Sequence, residues 1–169
     1  DLYEEATATA EFTIAKKSIQ VTADAKSKTY GDADPALTYT VNGLVGGDQM
    51  TGELKRVANE NVGIYAIELN SLTAGVNYTI LYTSANFTVN PKPITVKADA
   101  VSKIYGETDP ELTYQIEGLV NGDRMSGELK RVAGENVGTY AIEQNTLTAG
   151  NNYTITYTGA DFTISKRVV

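Results

Sequence analysis

Among the 169 residues, the side chains able to do chemistry are carboxylates, lysines, serines and tyrosines, because the chain has neither His nor Cys. Thiolate or imidazole metal ligation and disulfide stapling are therefore excluded. General acid–base work would fall to carboxylate pairs, for which Asp32 with Asp34 and Glu53 with Glu60 are the candidates. The same loop acids, Asp32, Asp34 and Asp48 with Asp109 and Asp123, have the hard oxygen chemistry that suits a weak extracellular calcium site. Their spacing is not that of an EF-hand loop. In turns, however, Asp is chosen because its side chain hydrogen-bonds the local backbone, and that reading accounts for all five without a ligand. A Lys–Asn isopeptide link would need a buried Lys; Lys97 lies on a candidate first strand, but Thr22 holds the equivalent place 75 residues earlier. No Gly-x-Ser-x-Gly elbow exists, and Gly46-Gly47-Asp48 is followed by no Lys-Ser/Thr of a phosphate loop. No catalytic residue and no organic cofactor is expected. Eleven tyrosines without Trp invite a carbohydrate-stacking role. Yet Tyr39, Tyr65, Tyr78 and Tyr82 fall on the apolar phase of their segments, where packing uses them.

The elements that carry these residues are duplicated. Residues 19–93 and 94–168 agree without a gap at 49 of 75 positions. Such periodicity defines a repeat architecture. Glu11-Phe12-Thr13-Ile14 continues the pattern backwards, and Tyr3 aligns with Tyr78, so residues 1–17 read as the tail strand of a preceding copy. Expected modules are 18–92 and 93–169.

Within a module the apolar residues alternate with period two, rich in Val, Ile, Thr and Tyr, as strands do. Ile19, Val21, Ala23 and Ala25 alternate; so do Leu37, Tyr39 and Val41, then Tyr65, Ile67 and Leu69, then Tyr78, Ile80 and Tyr82. After a kink at Ser84-Ala85 come Phe87 and Val89. Lys28 to Pro35 reads as turn chemistry, and Glu53 to Val57 as a short strand whose Lys55 and Arg56 guard an edge. Gly47 to Met50 has room for one helical turn at most. The prediction is all-β, with two tandem Ig-like β-sandwich modules end to end; a β-grasp-like module, which needs a helix across its sheet, is the alternative. Pro91 and Pro93 stiffen the junction, so the modules are expected to form a rod-like spacer. Tyr65 and Tyr140 are candidates for a tyrosine corner, and Tyr30 and Tyr105 for plugs at a sandwich end.

Tyr30-Gly31-Asp32-Ala33-Asp34-Pro35 and Tyr105-Gly106-Glu107-Thr108-Asp109-Pro110 open each copy, and Asn61-Val62-Gly63-Ile64-Tyr65 and Asn136-Val137-Gly138-Thr139-Tyr140 follow. With Leu-Thr-Tyr, Gly-Leu-Val-x-Gly-Asp and Asn-Tyr-Thr-Ile, they resemble the MBG domain, a "YG"-type repeat of bacterial cell-surface, adhesin-like proteins. The resemblance implies a secreted or surface location and a non-catalytic repeat whose partners are neighbouring repeats. A stalk is one expected role; a module binding a host or environmental glycan or protein is the other. The net charge of −7 gives no basic footprint for nucleic acid, and no apolar run reaches the roughly 20 residues that span a bilayer.

Overall fold

The computed structural model describes residues 7–169; residues 1–6, including Tyr3 of the expected tail, lie outside that range. The described residues form strands and no helix. In chain order these are β1 (Lys17–Ala23), β2 (Lys26–Thr29), β3 (Tyr39–Asn42), β4 (Lys55–Arg56), β5 (Gly63–Glu68), β6 (Tyr78–Thr83) and β7 (Asn86–Asn90). The second series is β8 (Lys92–Ala98), β9 (Val101–Ile104), β10 (Tyr114–Glu117), β11 (Lys130–Arg131), β12 (Gly138–Glu143), β13 (Tyr153–Thr158) and β14 (Ala160–Ser165). The all-β expectation thus holds, and the helix that a β-grasp module requires is absent among the described residues. Gly46 and Gly47 form a turn, closed by Asp48 N–H donating to Val45 O at 3.0 Å, and no helical turn follows.

Each series makes one three-stranded and one four-stranded sheet, ordered β3-β1-β6 and β2-β7-β5-β4, then β10-β8-β13 and β11-β12-β14-β9. The first strand of a series is central. It pairs antiparallel with the third and parallel with the sixth, as Val96 does with Ile116 and with Tyr157. A second parallel pair, β9 with β14, registers Ser102 with Thr163. Short breaks let consecutive strands change sheets: Asp99-Ala100 between β8 and β9, and Gly159 between β13 and β14. The sequence reading ran the first strand into a turn and missed β2 and β9 altogether. Their four residues carry Lys at the inward position, which breaks the apolar alternation that marks a strand.

Contacts within the chain define two units. The first comprises the described residues up to Ala25 with Ala36–Val57 and Ala66–Asn86; the second comprises Lys26–Pro35, Ala58–Tyr65 and Phe87–Val169. In the second unit, alternation on β8 turns Ile94, Val96 and Ala98 inward. Ala98 meets Ile142, Phe162 and Ile164 of the other sheet, and Leu112, Leu129, Tyr140 and Tyr157 close over this cluster. A core drawn from both sheets is what makes the pair a sandwich. In the first unit the inward residues of β1, Ile19, Val21 and Ala23, are buried likewise.

Two local devices recur. Gly52 (φ 83°) and Gly127 (φ 80°) sit where a Cβ would fall 2.2 Å from the carbonyl oxygens of Ser71 and Thr146, so only glycine lets these loops close. The hydroxyls of Tyr65 and Tyr140 each donate to a backbone oxygen four residues back, Asn61 O and Asn136 O, at 2.7 Å. That is the tyrosine-corner contact. Pro93 sits near the start of β8, beside Thr154 of β13, while the pairing of β8 with β10 begins only at Thr95. The missing N–H therefore costs no ladder bond. Pro91 is the single residue between β7 and β8.

Residues 7–16 form no strand, and Phe12 is 88% exposed where the equivalent Phe87 and Phe162 are wholly buried. Phe162→Ala should cost about 3–5 kcal/mol by cavity formation. Tyr140→Phe, which removes one hydrogen bond, should cost about 1 kcal/mol. Urea unfolding of the two variants checks the order; equal losses would contradict the placement of the core.

Candidate functional site

The densest polar chemistry lies in the second unit, and the sequence reading had assigned it to turns and edges. Lys103, on the inward phase of β9, is almost wholly buried. Its Nζ reaches Asp109 Oδ1 at 2.6 Å and Glu135 Oε2 at 2.6 Å. Arg131 closes the square, with Nε 2.5 Å from Asp109 Oδ2 and Nη2 2.6 Å from Glu135 Oε1. Its Nη1 donates to Gly134 O at 2.7 Å and Val132 O at 3.0 Å, and the guanidinium lies 4.7 Å from the Phe162 ring centre. One planar cation thus caps the loop, pairs both acids and packs on the core, which suits Arg and not Lys. The equivalent Lys28 on β2 is buried between Asp34, at 2.7 Å, and Glu60. The equivalent arginine, Arg56 on β4, is buried too, with its Nη1 on Val57 O. It had been expected to guard an edge; β4 is an edge strand, but the side chain turns inward.

The charges fix their own ionisation. Hydrogen bonds from Arg131 and then Lys103 hold the Asp109 carboxyl down at about 2. Lys103 and then Arg131 lower Glu135. Asp109 and Glu135 raise Lys103, and Asp109 above all raises Arg131. For Lys28 burial pulls the other way, yet the bonds to Asp34 and Glu60 outweigh it and the ammonium is held above its ordinary range. Lys28, Lys103, Asp109, Arg131 and Glu135 are each held in the charged form that their partners need. A general acid or base needs the opposite, a proton poised to move near neutral pH. Amide formation between Lys103 and Asp109 is opposed for the same reason, since an ammonium and a carboxylate do not condense. Lys97, the isopeptide candidate, is exposed on β8.

The five proposed calcium carboxylates are not brought together. Asp34 and Asp109 face lysines. Asp48 and Asp123 accept tyrosine hydroxyls, from Tyr78 at 2.5 Å and Tyr153 at 2.6 Å. Asp32 sits in the exposed turn after Tyr30, its N–H donating to Thr29 O. Among the described residues, no three His, Cys, Asp or Glu side chains are grouped as a metal ion would need.

A second constellation in the same unit centres on Asp123. Its Oδ2 accepts from Tyr30 at 2.9 Å as well as from Tyr153. The two tyrosine rings meet edge to face, 5.4 Å between centres at 77°. Val120 N–H donates to the Tyr153 hydroxyl at 3.2 Å, and burial followed by the bond to Asp123 raises the Tyr153 hydroxyl. Nearby, Asn152 accepts from Val62 N–H at 2.9 Å and donates to Asn61 Oδ1 at 3.0 Å. Tyr30 is 7% exposed here, whereas the equivalent Tyr105 is 49% exposed. The same residue is a plug in one place and an open side chain in the other, because Asp123 and Tyr153 stand against only the first.

One cleft recurs. Glu111, Leu112, Tyr114, Gly127, Glu128 and Leu129 line a space of about 410 Å³ in the second unit. Leu37, Tyr39, Gly52, Glu53 and Leu54 line one of about 220 Å³ in the first. Both are open and shallow, with a half-buried tyrosine beside an exposed glutamate.

Locked ion pairs, hydroxyl-bonded loop acids and a twice-built sandwich plan define a structural β-repeat protein. The family model for the MBG domain (YGX type) matches residues 19–88 and 94–163, and the chain belongs to that family in two tandem copies. No curated protein and no solved structure matches it.

The ion pairs set the acid response. Asp109 has its carboxyl lowered from 3.8 to about 2, and Glu135 is lowered from 4.5, so the stability they confer is complete above about pH 4.5 and is lost as pH falls toward 2. Asp109→Asn should lower the melting temperature at pH 7 and flatten its fall between pH 4.5 and 2. An unchanged acid slope in thermal melts would contradict the assignment.

Proposed function

We propose that this chain is a non-catalytic tandem repeat of a bacterial surface or secreted protein, serving as a spacer that carries other parts of an adhesin-like protein outward. The observation that carries this reading is the fate of the reactive groups. In each copy the lysine and its two acids are consumed in holding β2 or β9 to its loops, in the second copy together with Arg131, and Asp48 and Asp123 are bonded by tyrosines. A spacer also needs tight coupling from one copy to the next. Pro91 alone separates β7 from β8, and Lys92 N–H donates at once to Asn152 O at 2.9 Å. Family membership supports a repeat module of surface-type proteins. Neighbouring repeats are the proposed partners, and no cofactor is needed.

The recurring cleft favours a second reading, a weak binding module for a glycan or an extended protein segment. A tyrosine face beside carboxylate acceptors is suitable chemistry for sugar hydroxyls, and about 410 Å³ lies within the range of small-ligand pockets.

Pulling the chain from both ends separates the readings. The spacer account expects two unfolding events of similar size, each releasing a contour of roughly 250 Å for a 75-residue repeat at about 3.3–3.6 Å per residue. It expects the same forces with calcium, with a chelator and with soluble glycans. A single event for the whole chain would overturn it, calcium-dependent force would show that the loop acids hold the cation, and glycan-dependent force would favour the cleft.

A further inference from the structure

The Asp123 constellation has a duplicate that is built but not engaged. In the first unit, Tyr78 donates to Asp48 Oδ2 at 2.5 Å and Val45 N–H donates to the Tyr78 hydroxyl at 3.2 Å. This reproduces Tyr153, Asp123 and Val120 residue for residue, with the same 3.2 Å bond at Val120. Asn77, exposed beside Tyr78, corresponds to Asn152. Among the described residues, the first copy of the socket lacks the pair of groups that fill the second, namely Tyr30 on Asp123 and Asn61-Val62 on Asn152.

Those filling groups are duplicated as well. Tyr105, Asn136 and Val137 are the equivalents of Tyr30, Asn61 and Val62, with identical side chains. Gly106 has the same left-handed backbone as Gly31, φ 88° against 84°. Gly31 packs on Val120, whose Cγ2 lies 2.6 Å from where a Cβ would be, whereas Gly106 has only the end of Arg167 within 4.0 Å. Tyr105 is 49% and Val137 48% exposed. The described residues therefore carry one filled plug-and-socket pair, one open plug and one open socket, all of the same residue types.

We propose that the open plug seats in the open socket of a further copy of this repeat. Tyr105 would donate to Asp48 with its ring edge to face on Tyr78, Gly106 would lie on Val45, and Asn77 would bind Asn136 and the N–H of Val137. The occupant is argued from the filled pair, which shows what this socket takes. Because plug and socket are different surfaces, the contact is heterologous, and such contacts propagate head to tail when they do not close into a ring. The inference is independent of the spacer reading, since a binding module could associate in the same way.

A filled pair within one chain works at the high effective concentration its tether supplies, on the order of millimolar for short links. Association between separate chains is therefore read by amide NMR of the full chain from about 20 μM to about 1 mM, bracketing that effective concentration. The expected result is concentration-dependent shifts confined to two patches, Tyr105, Gly106, Asn136 and Val137 on one and Val45, Asp48, Asn77 and Tyr78 on the other. Tyr105→Ala and Asp48→Ala each remove one exposed side chain, and a spectrum outside the patches that matches the parent shows the fold intact. Each variant alone should lose the shifts, and an equimolar mixture should regain them, on the socket patch of the Tyr105→Ala chain and the plug patch of the Asp48→Ala chain. Shifts that are absent at 1 mM, that fall elsewhere, or that survive in Tyr105→Ala alone would overturn the proposal.

Discussion

The second unit depends on one carboxylate shared by two tyrosines. Asp123 accepts from Tyr153 and from Tyr30, whose positions in the sequence are 123 residues apart, and the two rings meet edge to face beside it. Burying a tyrosine hydroxyl is unfavourable unless it finds an acceptor, and an ionised acceptor makes the stronger bond. Tyr30 is therefore held only where Asp123 is in place. Gly31 follows because nothing with a side chain fits against Val120. The Asn61-Val62 turn is tied to Asn152 in the same region. Residues of both family matches thus converge on contacts that neither copy makes within its own residues.

Inside each copy the corresponding constraint is a buried lysine. A four-residue strand with Lys inward is a poor strand by pattern, and it is retained because two acids arrive from separate loops to meet the ammonium. In the second copy Arg131 binds both acids from the other side and rests on Phe162, so the ionic layer is continuous with the apolar core. Such a layer gives little net stability over apolar residues, yet losing one member leaves charge uncompensated. It fixes which loop lies where. The acids in these motifs accordingly hold loops to strands.

Much of this was legible from sequence, and the failures share a cause. Alternation picked out Ile19, Val21, Phe87 and Val89, all of which are buried, and the 75-residue register gave the copy number. The spacing Asn-Val-Gly-x-Tyr marked Tyr65 and Tyr140, whose hydroxyls do reach back four residues. Period-two reading failed at Lys28, Arg56 and Lys103, because it sends charge outward, and each lysine is met by one acid from a loop 32 residues on. The second parallel pairing in each copy was illegible too; nothing local to β9 states that it will lie beside β14. Tyr30 and Tyr105 show the limit most plainly. Their local sequences are nearly the same, and their exposures differ because exposure is a property of the neighbour.

The account rests on Tyr30 and Asp123 being energetically coupled, and a double-mutant cycle measures that coupling. Tyr30→Phe, Asp123→Ala and the double variant are unfolded in urea at neutral pH. A coupling of about 1–2 kcal/mol is expected for a hydrogen bond to a carboxylate in a sheltered site. Losses that simply add would contradict the account, because the two side chains would then stabilise the chain independently and the contact between them would hold nothing together.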